Sequence, residues 1–382
     1  MTITQTARDL APAIAARASE IESARRLPAD LAATLAAAGL FRLTVPKSLA
    51  GLESTPAEFF DTLEVLGAAD AATGWCAMIA NTTALASAWL PEPHATVIFA
   101  DPHIITGGVF APMGKAISDG DDYLVTGRWA WASGSANCRW LVGGALIFDD
   151  GTLRTLSNGS PDHRMMIFDA RDVQLIDTWD ASGLRGTGSG DMAVTNVRVP
   201  KSRSLSFTTD RPTAKGPLYA FPPFGLLALG IAAVASGNAR AALDDFKTLA
   251  IIKKAAGSSR TLAERGTIQA EYARADAALE SARALVARDI AAAWALATTG
   301  QPLDLQARAR LRLAATHLVR TAADVTRTAY DMAGGAAVYA ASPLQRRFRD
   351  AHVATQHMMI APPTFELAGR ILLGLPTEDL AL

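Results

Sequence analysis

Cysteine is nearly absent: the 382 residues contain two, Cys76 and Cys138, with no CxxC or other metal-ligand spacing. A disulfide-framed secreted scaffold is thereby excluded, and a reducing cytoplasm is the expected location. Charge of one sign is lacking too. With 36 Lys and Arg against 37 Asp and Glu, the formal net charge is −1, and 19% charged residues stand beside 50% hydrophobic ones. Neither a nucleic-acid partner nor a disordered chain fits that balance. The N-terminus has no basic segment leading into an apolar one, so no signal peptide is read there. The longest uncharged run, residues 217–239, contains Pro222-Pro223, and the uncharged stretch beyond these prolines is too short for a membrane span. It reads as the start of a buried helix, and partners are expected to be small molecules or further copies of the chain.

Several chemical signatures are missing as well. No pair of the six histidines has the i, i+4 spacing of a helical metal site. His352 and His357 are five apart, roughly 140° around a helix, so no metal is expected. There is no GxSxG elbow for a serine hydrolase. Residues 186–190, GTGSG, precede a strand and open no helix, which removes a Rossmann or P-loop reading and leaves a surface or subunit-facing turn.

What is present divides into three. Residues 1–103 are Ala-rich with apolar positions at helical spacing, clearest over 57–66 and 71–90. Residues 104–215 carry strand periodicity in about seven segments separated by turns such as Ser118-Asp119-Gly120 and Ser157-Asn158-Gly159. Residues 216–382 return to helices, drawn at about 224–254, 262–299, 303–333 and 343–372. The expected architecture is α+β: an N-terminal helical domain, a middle β-domain and a C-terminal four-helix bundle.

The candidate chemistry centres on residues 123–142, YLVTGRWAWASGSANCRWLV. Tyr123, Val125, Trp129 and Trp131 fall on one face of an extended segment, and Ser133-Gly134-Ser135 then breaks the pattern. Hydroxyls and backbone N–H groups beside tryptophans suit a flat heteroaromatic cofactor, although a β-turn after a core strand reads the same way. Trp75, Met78 and Trp89 either line a pocket or fill the core. Asp350 and His357, seven apart, share one stripe of the last helix, so His357 is either a base facing the bundle interior or a histidine satisfied by a neighbour. Among the basic residues at the bundle edges, including Arg312 and Arg347, most read as solvated; Arg260, after Gly257-Ser258-Ser259, is placed to hold a phosphate.

Together, GRWAWASGSANCRW, DTWDASGLRGTGSGDMAVTNVRVP, GSSRTLAERGTIQ and SPLQRRFRDAHVATQH make nearly the whole chain resemble the acyl-CoA dehydrogenase superfamily. They are more similar to its flavin-dependent monooxygenase branch, the oxygenase components of two-component systems, than to the dehydrogenases. The dehydrogenases' catalytic glutamate has no equivalent in QHMMI, where Met358 stands at about its place. The resemblance implies that His357 is the acid/base group and that Trp131 and Ser133 lie against the isoalloxazine ring, with the hydroxyl near its N5/O4 edge. It also implies that Arg260 and Gln269 contact the flavin of a neighbouring subunit, that Gly334-Gly335 forms the turn beside the pyrophosphate, and that the protein is a homotetramer.

In the implied mechanism, a separate NAD(P)H-dependent reductase supplies FADH2 or FMNH2, since this chain has no NAD(P)H fingerprint of its own. The flavin reacts with O2 through a C4a-(hydro)peroxide, and a small phenolic or indole-type substrate is oxygenated in a pocket kept dry by Trp75, Trp131 and Phe110. Several relatives carry an active-site histidine after a TGW motif, whereas TGWCAMIANTTALASAW offers Asn81, Thr82 and Thr83, with Thr83 nearest the place. Two alternatives remain: a dehydrogenase with an unusual base, and a non-catalytic scaffold that has lost the flavin.

Overall fold

Six helices lead the chain in the computed structural model, which describes residues 2–254, 257–301 and 303–377. They are α1 (Ile3–Ala16), α2 (Ala18–Ala24), α3 (Ala29–Ala37), α4 (Pro56–Ala69), α5 (Ala71–Ala84) and α6 (Glu92–Phe99). The start of α4 is written in its sequence: the Thr55 hydroxyl accepts the Glu58 N–H and Pro56 occupies the first turn, where its missing donor costs nothing. Helix α5 is capped by Asp70 and buried along nearly its whole length. It ends six residues earlier than the span 71–90 suggests, tightening into a 3-10 turn at Leu85–Ala88.

The strands follow as β1 (Thr106–Asp119), β2 (Asp122–Trp129), β3 (Trp140–Asp149), β4 (Thr152–Leu153), β5 (His163–Asp169), β6 (Gln174–Ile176), β7 (Asp191–Pro200) and β8 (Ser204–Leu205). Among the described residues eight strands form, rather than about seven, in the order β6-β7-β2-β1-β3-β5-β8 with β4 on β3. Trp129 is the sheet's own core. Its fully buried indole lies where added Cβ atoms at Gly114, Gly127 and Gly143 would come within 2.5–2.7 Å of ring atoms, and its N–H donates to the Gly144 carbonyl at 2.7 Å. Three strands give up side chains to admit one ring.

The remaining helices are α7 (Pro217–Ala220), α8 (Pro223–Ile252), α9 (Gly266–Thr298), α10 (Leu305–Ala333), α11 (Pro343–Ala354) and α12 (Pro363–Leu372). By length and composition α8 would span a membrane, but 94% of its apolar window is buried against the other helices. The span 343–372 is not one helix. Helix α11 stops at Ala354, where the Thr355 hydroxyl donates back to the His352 carbonyl at 2.6 Å and Arg320 of α10 donates to the Thr355 carbonyl at 3.0 Å. These bonds satisfy carbonyls that a further turn would have used.

The link between β6 and β7 is packed against α11 without a gap. Arg349 donates to the Ser182 carbonyl at 2.6 Å, the Leu184 N–H donates to Asp350 Oδ1 at 2.6 Å, and a Cβ on Gly183 would lie 2.3 Å from the Arg349 carbonyl oxygen. Since the obstruction is backbone, a Gly183→Ala substitution should destabilise the fold by about 1–3 kcal/mol, read from the denaturant midpoint.

Candidate active site

The turn after β2 is positioned by a neighbouring loop. Ala132 N–H donates to the Gly190 carbonyl at 2.9 Å and Gly134 N–H to the Thr187 carbonyl at 2.8 Å, zipping residues 131–134 onto residues 187–190. Gly186, Thr187, Ser189 and Gly190 are buried, so GTGSG is an interior strut and not the surface or subunit-facing turn its composition suggests. The strand ends at Trp129. Trp131 takes a left-handed conformation (φ 66°) and its side chain is 65% exposed, so it does not share the buried face of Tyr123, Val125 and Trp129. Its ring is an open aromatic surface beside the turn.

Ser133 is buried and receives the Trp75 indole N–H at 3.2 Å, which brings α5 and the turn together. The same indole lies edge-on to the His357 ring, centroids 5.8 Å apart. Three of the residues singled out in the sequence, Trp75, Ser133 and His357, therefore meet. Phe110 stands in a different aromatic group, 5.7 Å from Phe207, which is 4.9 Å from Trp89 and 6.3 Å from Phe224. Thr83 is buried in α5. Asn81 is structural: its amide accepts from Leu43 N–H at 2.7 Å and donates to the Leu40 and Ala77 carbonyls at 2.8 Å, which uses its donors and tethers the chain before α4.

His357 lies beyond the end of α11 and caps a 3-10 turn, Met358–Ile360, so the shared helical stripe with Asp350 does not exist. Its Nδ1 accepts the Met359 N–H at 3.2 Å, which puts the proton of the neutral ring on Nε2. Burial, reinforced by the Arg312 charge, lowers its pKa to about 4. At neutral pH it is thus an uncharged ring that donates from Nε2, not an imidazolium.

Arg312 is not a solvated bundle-edge charge: it is buried and donates to the Met359 carbonyl at 3.2 Å. Met358, expected in the pocket, is 73% exposed; the turn that buries Met359 sends its neighbour outward. Asp350 serves the β6–β7 loop, and burial pushes its pKa up to about 7.

Arg260, Gln269, Gly334 and Gly335 are all exposed, and the loops that carry them come together at one end of the helical bundle. Lys253, at the end of α8, donates to the Ala333 carbonyl at 2.6 Å, and Leu262 N–H donates to the Lys253 carbonyl at 2.8 Å, which joins the two loops. Gln269 donates to the Ala263 carbonyl at 2.9 Å. Around this end Ile251, Ile252, Val338 and Tyr339 are 58%, 73%, 61% and 70% exposed. Among the described residues no group of three or more metal-ligating side chains gathers. Both cysteines are free thiols, and burial raises the pKa of Cys138 to about 12, far from a reactive thiolate.

Thr187, Ser189 and Arg312 adjoin these residues, and the motifs gave none of them a role in the site. Only the hydroxyl content of GTGSG hinted at the first two.

Helices, an eight-stranded sheet and a bundle in this order, with a turn of the sheet against α5 and the segment after α11, define the acyl-CoA dehydrogenase class of fold. Family models for the acyl-CoA dehydrogenase N-terminal and C-terminal domains match residues 1–90 and 229–362. Indole-3-acetate monooxygenase of Pseudomonas putida is 32% identical over 94% of this chain and 90% of its own. The flavin-dependent monooxygenase oxygenase subunit HsaA of Rhodococcus jostii is 27% identical over 97% of this chain and 98% of its own. XiaF from Streptomyces, solved in complex with FADH2 and glycerol, superposes with a TM-score of 0.89 at 26% identity, covering 98% of this chain and 95% of that one. The chain belongs to the acyl-CoA dehydrogenase superfamily, in its flavin-dependent monooxygenase branch.

Proposed function

We propose that this chain is the oxygenase component of a two-component flavin-dependent monooxygenase, working in the cytoplasm on a small aromatic or heteroaromatic substrate of phenolic or indole type. The observation that carries the reading is the meeting of Trp75, Ser133 and His357, with the exposed ring of Trp131 two residues before Ser133 in the same turn. These residues fit a reduced flavin: Trp131 offers an uncovered aromatic face and Ser133 a hydroxyl oxygen at its edge. When bound, the flavin supplies the electrons that activate O2. The protein's part is to hold the ring, exclude water and handle protons. Trp75 shields the Ser133 hydroxyl, Phe110 and Thr83 contribute pocket wall, and neutral His357 donates from Nε2 to an oxygen of the substrate or of the group being transferred. Names such as oxygenase subunit among the relatives support a separate reductase, here an NAD(P)H-dependent one. The dehydrogenase alternative is less well supported, because Asp350 faces Leu184 and Met358 carries no carboxylate.

In this reading the chain divides at 103/104 and 215/216, and the flavin is shared between subunits of a homotetramer. Arg260, Gln269, Gly334 and Gly335 are exposed within one protomer, and the neighbouring chain segments carry the exposed apolar residues Ile251, Ile252, Val338 and Tyr339, suited to a neighbour's surface. Complementation tests this. Arg260→Ala and Ser133→Ala subunits, each impaired alone, should regain activity when unfolded and refolded together, because mixed pairs carry one intact site. Mixtures no more active than their components would contradict a site shared between subunits.

A further inference from the structure

Four hydrogen bonds run in series from the Trp75 indole into the protein. Trp75 Nε1 reaches Ser133 Oγ at 3.2 Å, Ser133 Oγ lies 2.6 Å from Ser189 Oγ, Ser189 Oγ lies 2.6 Å from Thr187 Oγ1, and Thr187 Oγ1 reaches the Leu184 carbonyl at 2.7 Å. All three hydroxyls are buried, at 5%, 4% and 1% exposure. The two ends fix every proton between them. An indole N–H only donates and a carbonyl only accepts, while each hydroxyl has a single proton. Thr187 must spend its proton on Leu184, so Ser189 must donate to Thr187, and Ser133 must donate to Ser189. Reversing any link would leave two oxygens about 2.6 Å apart with no hydrogen between them, a contact whose cost in a buried site exceeds the gain of a new bond.

We infer that Ser189 and Thr187 are positioning residues that make Ser133 a hydrogen-bond acceptor toward the cofactor, so that the site selects reduced over oxidised flavin. This rests on the proposed placement of the flavin edge against Ser133. With its proton turned inward and one lone pair taken by Trp75, the Ser133 oxygen has one lone pair left to offer. Reduced flavin carries a hydrogen on N5 and can donate to it. Oxidised flavin has a bare N5 lone pair and meets oxygen with nitrogen, acceptor against acceptor. The discrimination is thus built into the polarity of the chain behind the serine, not into the serine alone. It suits an enzyme that must take its cofactor in the reduced state and let it go oxidised.

Removing either inner hydroxyl reverses the logic. In Ser189→Ala the Ser133 proton loses its acceptor and is free to point at oxidised N5; in Thr187→Val the Ser189 proton turns back to Ser133, with the same result. Anaerobic equilibrium dialysis against oxidised and reduced FAD, repeated with FMN, reads this as a ratio of dissociation constants. The wild type should bind the reduced form at least about tenfold more tightly, and each variant should shrink that ratio at least about fivefold, chiefly by gaining affinity for oxidised flavin. Ser189→Thr, which keeps the hydroxyl, should restore it. Variants that bind flavin with the wild-type ratio would overturn the relay while leaving the flavin site standing. A wild type that binds neither redox form would overturn both this inference and the proposed function.

Discussion

Replacing His357 by alanine should lower substrate oxygenation by about two orders of magnitude or more while changing reduced-flavin affinity little, within about threefold. A positioned proton donor or acceptor contributes about 10²–10⁴ in rate, whereas flavin holding is assigned to Trp131 and Ser133. The argument depends on the ring's state. Its Nδ1 is committed to the Met359 N–H, and burial with Arg312 nearby holds its pKa to about 4. The group should therefore give the activity profile no limb between about pH 5.5 and 8, because no titration of this ring falls there. The stability consequence has a definite sign. Below the ordinary value of 6.5 the unfolded chain takes up a proton that the folded ring refuses until about 4, so the wild type loses stability across that window as pH falls. The alanine variant lacks that loss. Single-turnover product yield, anaerobic flavin titration and unfolding at several pH values separate these effects. An activity limb near pH 6.5 that disappears in the variant would contradict the neutral state assigned to this ring.

The second large effect is at Asp350. Its carboxyl is buried between α11 and the loop before β7, accepts the Leu184 N–H, and has its pKa raised to about 7 by burial, with Asp70 nearby adding to the rise. A carboxyl favoured in its protonated form stabilises the fold fully below its ordinary value of 3.8, and that contribution is lost as pH rises through about 7. Asparagine keeps an oxygen for Leu184 and cannot ionise. Asp350→Asn should thus match the wild type near pH 4 and exceed it near pH 8 by as much as about 4 kcal/mol, three pKa units at about 1.4 kcal/mol each. Denaturant unfolding at the two pH values reads the difference directly. A variant equally destabilised at both would make the carboxylate a structural partner in its ionised form.

The broad plan of the molecule was legible because it is carried by periodicity: helices, then strands, then helices follow one another in that order along the chain. The turn at Ser133-Gly134-Ser135 was legible for a similar reason, since a polar break between tryptophans stands out locally. What could not be read depends on contacts distant in the chain. The stop of α11 has no glycine or proline at hand; it is made by Thr355 and by Arg320 from another helix, and so the phase argument linking Asp350 to His357 ran through a helix that had ended. Arg312 looks like any helix-surface charge until the turn after His357 folds over it. Ser189 acquires its meaning only when backbone bonds lay residues 187–190 along residues 131–134. Trp131 obeyed the alternation in sequence, but a single left-handed residue turned it out of the sheet.

The most direct test of the central claim is a single turnover under ¹⁸O2. The protein is loaded anaerobically with reduced FAD or FMN and an indole or phenol that it binds, mixed with labelled oxygen, and the product is weighed by mass spectrometry. The account predicts one ¹⁸O atom in the product and none when oxidised flavin replaces reduced. Substrate oxidised without label, with the flavin reduced in the process, would contradict it and establish dehydrogenation instead.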